Sequence, residues 1–114
     1  MKKIFLDDCR PTPEGWARAY WPDEVKELLK KGNVEVISLD HDLGDDERGT
    51  GYSVLLWIEE QVELANYKPP EILIHTDNGP ARQKMELARD SIIKRWNSLH
   101  PDDPLPWEGK YNVH

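Results

Sequence analysis

Cysteine occurs once in the 114 residues, at Cys9, so no internal disulfide can form and a disulfide-stapled scaffold is excluded. Phenylalanine also occurs once and methionine twice, which leaves five Trp and four Tyr as the large burial units. Basic residues are outnumbered, 15 Lys and Arg against 22 Asp and Glu, for a formal charge of −7. Phosphate backbones repel such a chain, so non-specific nucleic-acid binding is excluded. A small nucleotide or a metal ion is not, because a local site can oppose the global field. Long apolar runs are absent too, so nothing spans a membrane. The opening Met1-Lys2-Lys3-Ile4-Phe5-Leu6 turns acidic at Asp7, too early for a secretory signal. These absences set the expectation of one cytoplasmic domain, in a host cytoplasm if the source is viral.

What is present alternates between strand and helix. Ile4-Phe5-Leu6 reads as a short buried strand, and residues 9–21, with Pro11, Pro13 and Gly15, read as a loop. Pro22 opens a helix with Asp23 and Glu24 in its first turn, Lys30 and Lys31 at its end and Gly32 beyond. Val34–Leu39 is β-branched and apolar, a second strand. Residues 43–51 are a Gly-rich loop, and Thr50 caps a helix whose buried face is Leu55, Ile58, Val62 and Ala65. Glu71–Thr76 is a third strand. Asp77-Asn78-Gly79 is a turn, and Pro80 starts a third helix with Ala81, Met85, Ala88, Ile92 and Trp96 inward. The reading therefore places an α/β domain over residues 1–100 and an irregular tail over 101–114, with a short strand near Tyr111–Val113. Trp57 and Trp96 read as core. Trp16, Trp21 and Trp107 either pack over the sheet or stack on a base.

Strand–helix alternation implies parallel strands joined by right-handed crossovers, and such sheets bind ligands beyond their carboxyl ends. All three strands end in chemistry: Asp7-Asp8, Asp40-His41-Asp42 and His75-Thr76-Asp77. With neighbours about 4.8 Å apart, these ends converge on a patch roughly 10 Å across. Carboxylates so close repel unless protons or a cation neutralise them. A hard divalent ion, Mg²⁺ or the similar Mn²⁺, is the expected cofactor, held by Asp7, Asp8 and Asp40. His41 and His75 stand beside carboxylates, which suits general acid and base roles. Arg10, and the helix start from Asn78 to Arg82, offer a phosphate cradle. Arg10 and Arg82 read equally well as solvated side chains. Acidic neighbours raise the Cys9 thiol, which argues against a thiolate nucleophile.

Leu6-Asp7-Asp8, Leu39-Asp40-His41-Asp42-Leu43, Gly51-Tyr52-Ser53 and His75-Thr76 resemble the response-regulator receiver domain. That resemblance implies Asp8 and Asp40 as Mg²⁺ ligands, Asp40 as phosphoacceptor, and Thr76 at the family's Ser/Thr position against the phosphate. A receiver has five strand–helix units and this chain shows three. Between Asp8 and Asp40 a strand and a helix look to be missing. The receiver lysine after a fifth strand is matched only weakly, by Lys110, which argues against ordinary phosphorelay. A closer match is carried by Leu6-Asp7-Asp8-x-Arg10-x-x-Pro13, Ser38-Leu39-Asp40-His41-Asp42-Leu43-Gly44, Thr50-Gly51-Tyr52 and Ile74-His75-x-x-Asn78. These strings resemble the cyclic-phosphate-processing receiver-like family, trimmed receiver relatives of prokaryotic and viral conflict systems.

The combined expectation is a three-layer, flavodoxin-like receiver fold with a short parallel sheet. Its activity would be that of a metal-dependent phosphoesterase on a cyclic phosphate or cyclic nucleotide, with Asp40, His41 and His75 catalytic. Its ligand would be a small phosphate compound or nucleotide. Two other classes stay open: a non-catalytic module that binds a nucleotide or is phosphorylated on Asp40, and a small viral or bacterial interaction protein with a protein partner.

Overall fold

The computed structural model describes residues 2–43 and 48–107. Seven elements follow in order: β1 (Lys2–Leu6), β2 (Ala17–Ala19), α1 (Pro22–Lys31), β3 (Val34–Leu39), α2 (Gly51–Ala65), β4 (Glu71–Ile74) and α3 (Gly79–Leu99). The strands form one parallel sheet in the order β2-β1-β3-β4. Among the described residues no helix is long and apolar enough to cross a membrane.

The caps fall where the sequence puts them. Glu24 Oε1 accepts the free N–H groups of Tyr20 and Trp21, both at 3.0 Å, at the start of α1, and Gly32 ends that helix at φ 81°. Asn78 Oδ1 accepts the Ala81 N–H at 3.1 Å to open α3. Register places Ile4, Ile37 and Ile72 side by side, and Leu6, Leu39 and Ile74 one step above. That face meets Val25 and Leu29 of α1, Leu55, Ile58 and Val62 of α2, and Met85 and Ile92 of α3 in one core. Each fully buried aliphatic chain here contributes about 1.5–3 kcal/mol.

Two sequence expectations change. Residues 9–21 are not all loop: Ala17–Ala19 forms β2, with Ile4 opposite Ala17 and Leu6 opposite Ala19. Small residues around an arginine give no apolar run, so this strand is written in its pairing with β1 rather than in its own sequence. The strand that looked to be missing between Asp8 and Asp40 is therefore present, and only the helix between β1 and β2 is absent. The layering follows from this. The crossovers β2–α1–β3 and β3–α2–β4 advance in the same direction, so right-handedness sends both helices to one face. α3 packs on α2 in the same core. On the other face, the third layer among the described residues is not helical. Phe5 there meets the Trp16 ring edge-on at 6.3 Å and the His75 ring in a stack at 4.4 Å.

After α3 the chain carries neither helix nor strand through Trp107, yet Leu105 and Trp107 belong to the core. The Trp96 indole N–H donates to the Asp103 carbonyl at 2.7 Å, and the Leu105 N–H to Asn97 Oδ1 at 3.0 Å. The strand expected near Tyr111–Val113, and Lys110, lie outside the described residues. At the outer edge of β4, Arg89 of α3 donates to the Ile72 carbonyl at 3.3 Å.

Candidate functional site

Backbone hydrogen bonds continue one residue past the strands and set the chemistry in a row. Asp7 N–H donates to Ala19 O at 3.1 Å, Asp40 N–H to Leu6 O at 3.0 Å, and His75 N–H to Leu39 O at 3.0 Å. The first residues beyond β1, β3 and β4 are thus locked side by side at the carboxyl end. Donor atoms of Asp7, Asp40 and His75 lie within 4.8 Å of one another.

Asp7 is fully buried and fully engaged. Its Oδ1 accepts the N–H groups of Cys9 at 2.7 Å and Arg10 at 3.0 Å, a turn that brings Arg10 back over the sheet edge. Its Oδ2 lies 3.0 Å from His75 Nε2. Burial pushes the Asp7 carboxyl up, but the two amides and His75 together outweigh it and hold the group below its usual value. Asp40 is driven the opposite way. Burial, reinforced by the neighbouring Asp7 charge, raises its carboxyl, although the His41 N–H at 2.8 Å and the Thr76 hydroxyl bond to it. Burial lowers His75 despite the pull of Asp7, so the ring is neutral near pH 7 and its contact with Asp7 is an N–H···O⁻ hydrogen bond. Its Nδ1 lies 2.7 Å from Ser38 Oγ.

Arg10 spans the site. It donates to the His75 carbonyl and to Asp77 Oδ2 at 2.5 Å, with Asp7 Oδ2 3.8 Å away. With Asp7, Asp40, Asp42, Thr76 and Asp77 it lines a cavity of about 240 Å³. A groove of about 570 Å³ on the outer surface of α2 and α3, past Glu59, Leu87 and Lys94, shares none of these residues.

Of the residues singled out from the sequence, Asp7, Asp40, His75, Arg10 and Thr76 come together. Four do not join them. Asp8 is exposed and outside the ligand group. His41 turns its Nδ1 to Asp42 Oδ1 at 2.9 Å and does not line the cavity. Asn78 spends its side-chain oxygen on the α3 cap. Arg82 donates to the Ile74 and Thr76 carbonyls, at 3.4 and 2.9 Å. The sequence reading gave no role to Ser38, Phe5 or Asp77. Ser38 and Phe5 sit inside strands, where only register reveals that they face His75, and Asp77, though counted among the strand-end acids, carried no sign that Arg10 would pair with it.

A family model, the cyclic-phosphate processing receiver domain, matches residues 2–91. No curated protein and no solved structure matches the chain.

Proposed function

The chain belongs to the cyclic-phosphate processing receiver domain family, and on that premise we propose that it is a metal-dependent phosphoesterase acting on a cyclic phosphate or cyclic nucleotide. The observation that carries this reading is the convergence of Asp7, Asp40 and His75 at the sheet's carboxyl end, where Asp7 and Asp40 open beside Arg10 into one cavity.

The donor set fits a divalent cation. Burial, together with the neighbouring Asp7 charge, raises Asp40, and a cation there would offset both. Asp7, Asp40 and His75 would hold it. Mg²⁺ prefers oxygen alone, so the imidazole tilts the set toward Mn²⁺. When bound, such an ion polarises phosphoryl oxygens and lowers the pKa of water.

The chain's own residues do the rest. Arg10 presents a planar fork to the phosphate, and the Thr76 hydroxyl spends its one hydrogen on holding Asp40 beside it. His41, standing between the cavity-lining Asp40 and Asp42 at the rim rather than in the wall, is the proton carrier in this reading. Asp42 against Nδ1 fixes the tautomer and leaves Nε2 as the basic atom. His75, with both ring nitrogens engaged, belongs to the cation-holding group instead. In the reaction water adds to phosphorus, one ring P–O bond breaks, and the leaving oxygen takes a proton.

The test is a panel of cyclic and linear nucleotides and RNA ends bearing terminal cyclic phosphates, incubated with the protein and Mg²⁺ or Mn²⁺. The expected product is the ring-opened monoester from at least one cyclic member. Binding without cleavage of any member overturns the enzyme reading and leaves a nucleotide-binding module.

A further inference from the structure

Ser38 lies in β3, two residues before Asp40, and is only 6% exposed. Its register neighbours are Phe5 on β1 and Leu73 on β4, which puts it on the sheet face where His75 lies. Three contacts fix the imidazole. Phe5 stacks on its plane with 4° between the rings, Asp7 Oδ2 meets Nε2 at 3.0 Å, and Ser38 Oγ meets Nδ1 at 2.7 Å.

The donor and acceptor roles follow from chemistry. An ionised carboxylate only accepts, so Nε2 carries the ring hydrogen, Nδ1 presents a lone pair, and the Ser38 hydroxyl donates to it. A cation held by Asp7, Asp40 and His75 reverses this. His75 would then offer its Nε2 lone pair, and the ring hydrogen would sit on Nδ1. A backbone carbonyl opposite Nδ1 would suit only the second state, and an amide N–H only the first. A hydroxyl both donates and accepts, so it suits either by turning about one bond. A buried ring nitrogen left without a partner is costly, so the group opposite Nδ1 decides how readily the ring changes state.

We propose that Ser38 is a positioning residue whose hydroxyl serves both tautomers of His75, letting Nε2 pass from hydrogen-bond donor on Asp7 to cation ligand. In that passage one proton leaves Nε2 for solvent and one is taken from solvent at Nδ1, so the ring stays neutral. The inference rests on the cation reading given above and adds to it the residue that makes the site convertible.

The test uses the full chain labelled with ¹⁵N-histidine, with Mg²⁺ and Zn²⁺ as diamagnetic probes. Without cation, His75 should show the Nε2–H tautomer, and with saturating cation the Nδ1–H tautomer. By calorimetry, Ser38→Ala should weaken cation binding about 10–100-fold, the usual effect of removing a group that orients a ligand imidazole. Ser38→Thr, which keeps the hydroxyl, should stay close to wild type, with thermal unfolding confirming that both variants fold. Ser38→Ala that binds cation as tightly as wild type, with the same tautomer change, overturns the role of Ser38 and leaves the cation reading standing. Wild-type His75 signals unmoved by either ion overturn the cation reading and the proposal together.

Discussion

Gly51 and Asp40 are in backbone contact: a Cβ built on Gly51 would stand 2.0 Å from the Asp40 carbonyl oxygen and 2.9 Å from the Met85 methyl. The first turn of α2 is thereby seated directly on the segment that presents Asp40.

The first prediction follows. In a helix Ala is intrinsically better than Gly by about 1 kcal/mol. Here Gly51→Ala should instead destabilise by about 1–3 kcal/mol, because backbone or Met85 must move. Urea unfolding measures it, and a variant with the wild-type midpoint would remove the contact from the account. Cation affinity should fall in parallel, since the Asp40 backbone shifts.

The buried Asp7 and the half-buried Asp40 should respond to pH with opposite signs. Asp7 is held below its unfolded value, so its stabilisation is present above that value and is lost as pH falls through the folded one. Asp40 is raised, so its penalty appears as pH climbs from the unfolded value through the folded one. Asp40→Asn should therefore stabilise the cation-free protein near neutral pH by about 0.5–2 kcal/mol, the gain expected when a strained functional group is relieved. That gain should vanish below the carboxylate range. Asp7→Asn removes the charge from the acceptor of the Cys9 and Arg10 amides and should cost about 1–3 kcal/mol. Thermal unfolding of both variants from acid to neutral pH checks the signs; equal shifts in the same direction would contradict them.

Asp40 should be a poor phosphoacceptor. Receivers place a lysine on the acyl phosphate, and no lysine stands among the described residues that line this cavity; Arg10 does, tied to Asp77 and the His75 carbonyl. Acetyl phosphate with Mg²⁺ should leave the mass of the intact protein unchanged. A stable adduct that disappears in Asp40→Asn would move the assignment to phosphorelay.

The segment after α3 should matter for stability out of proportion to its lack of regular structure. Leu105 and Trp107 are 3% and 5% exposed within the core. Trp107→Ala should cost about 3–5 kcal/mol and Leu105→Ala about 2–5, as for other large-to-small core changes. Denaturant unfolding of each variant reads this directly, and near-wild-type midpoints would show the segment to be peripheral.

Much of the architecture was legible because its signals are local. Strand β3 announces itself by Val34 to Leu39, and α3 by Ala81, Met85, Ala88, Ile92 and Trp96, all of them buried. Strand β2 was not legible, because three residues reading Ala-Arg-Ala carry no pattern until Ile4 and Leu6 pair with them. The site divides in the same way. Strand-end residues such as Asp7, Asp40 and His75 could be brought together by topology alone. Ser38 could not, because a lone serine inside an apolar strand looks incidental until the ladder sets it opposite an imidazole. Arg82 misled for a related reason: its place in the first turn of α3 suggested an anion, whereas the nearest acceptors are the carbonyls of Ile74 and Thr76.

Those carbonyls have a consequence for how molecules meet. An uncovered outer strand is a template on which another chain can anneal, and short sheets with open margins are prone to it. Among the described residues strand β4 is such a margin, yet Arg89 and Arg82 occupy its outward carbonyls at Ile72 and Ile74. Two guanidinium groups thus stand where an incoming strand would place its amides, and each brings a positive charge to the rim. Pairing of another chain along this margin is thereby disfavoured at Ile72 and Ile74.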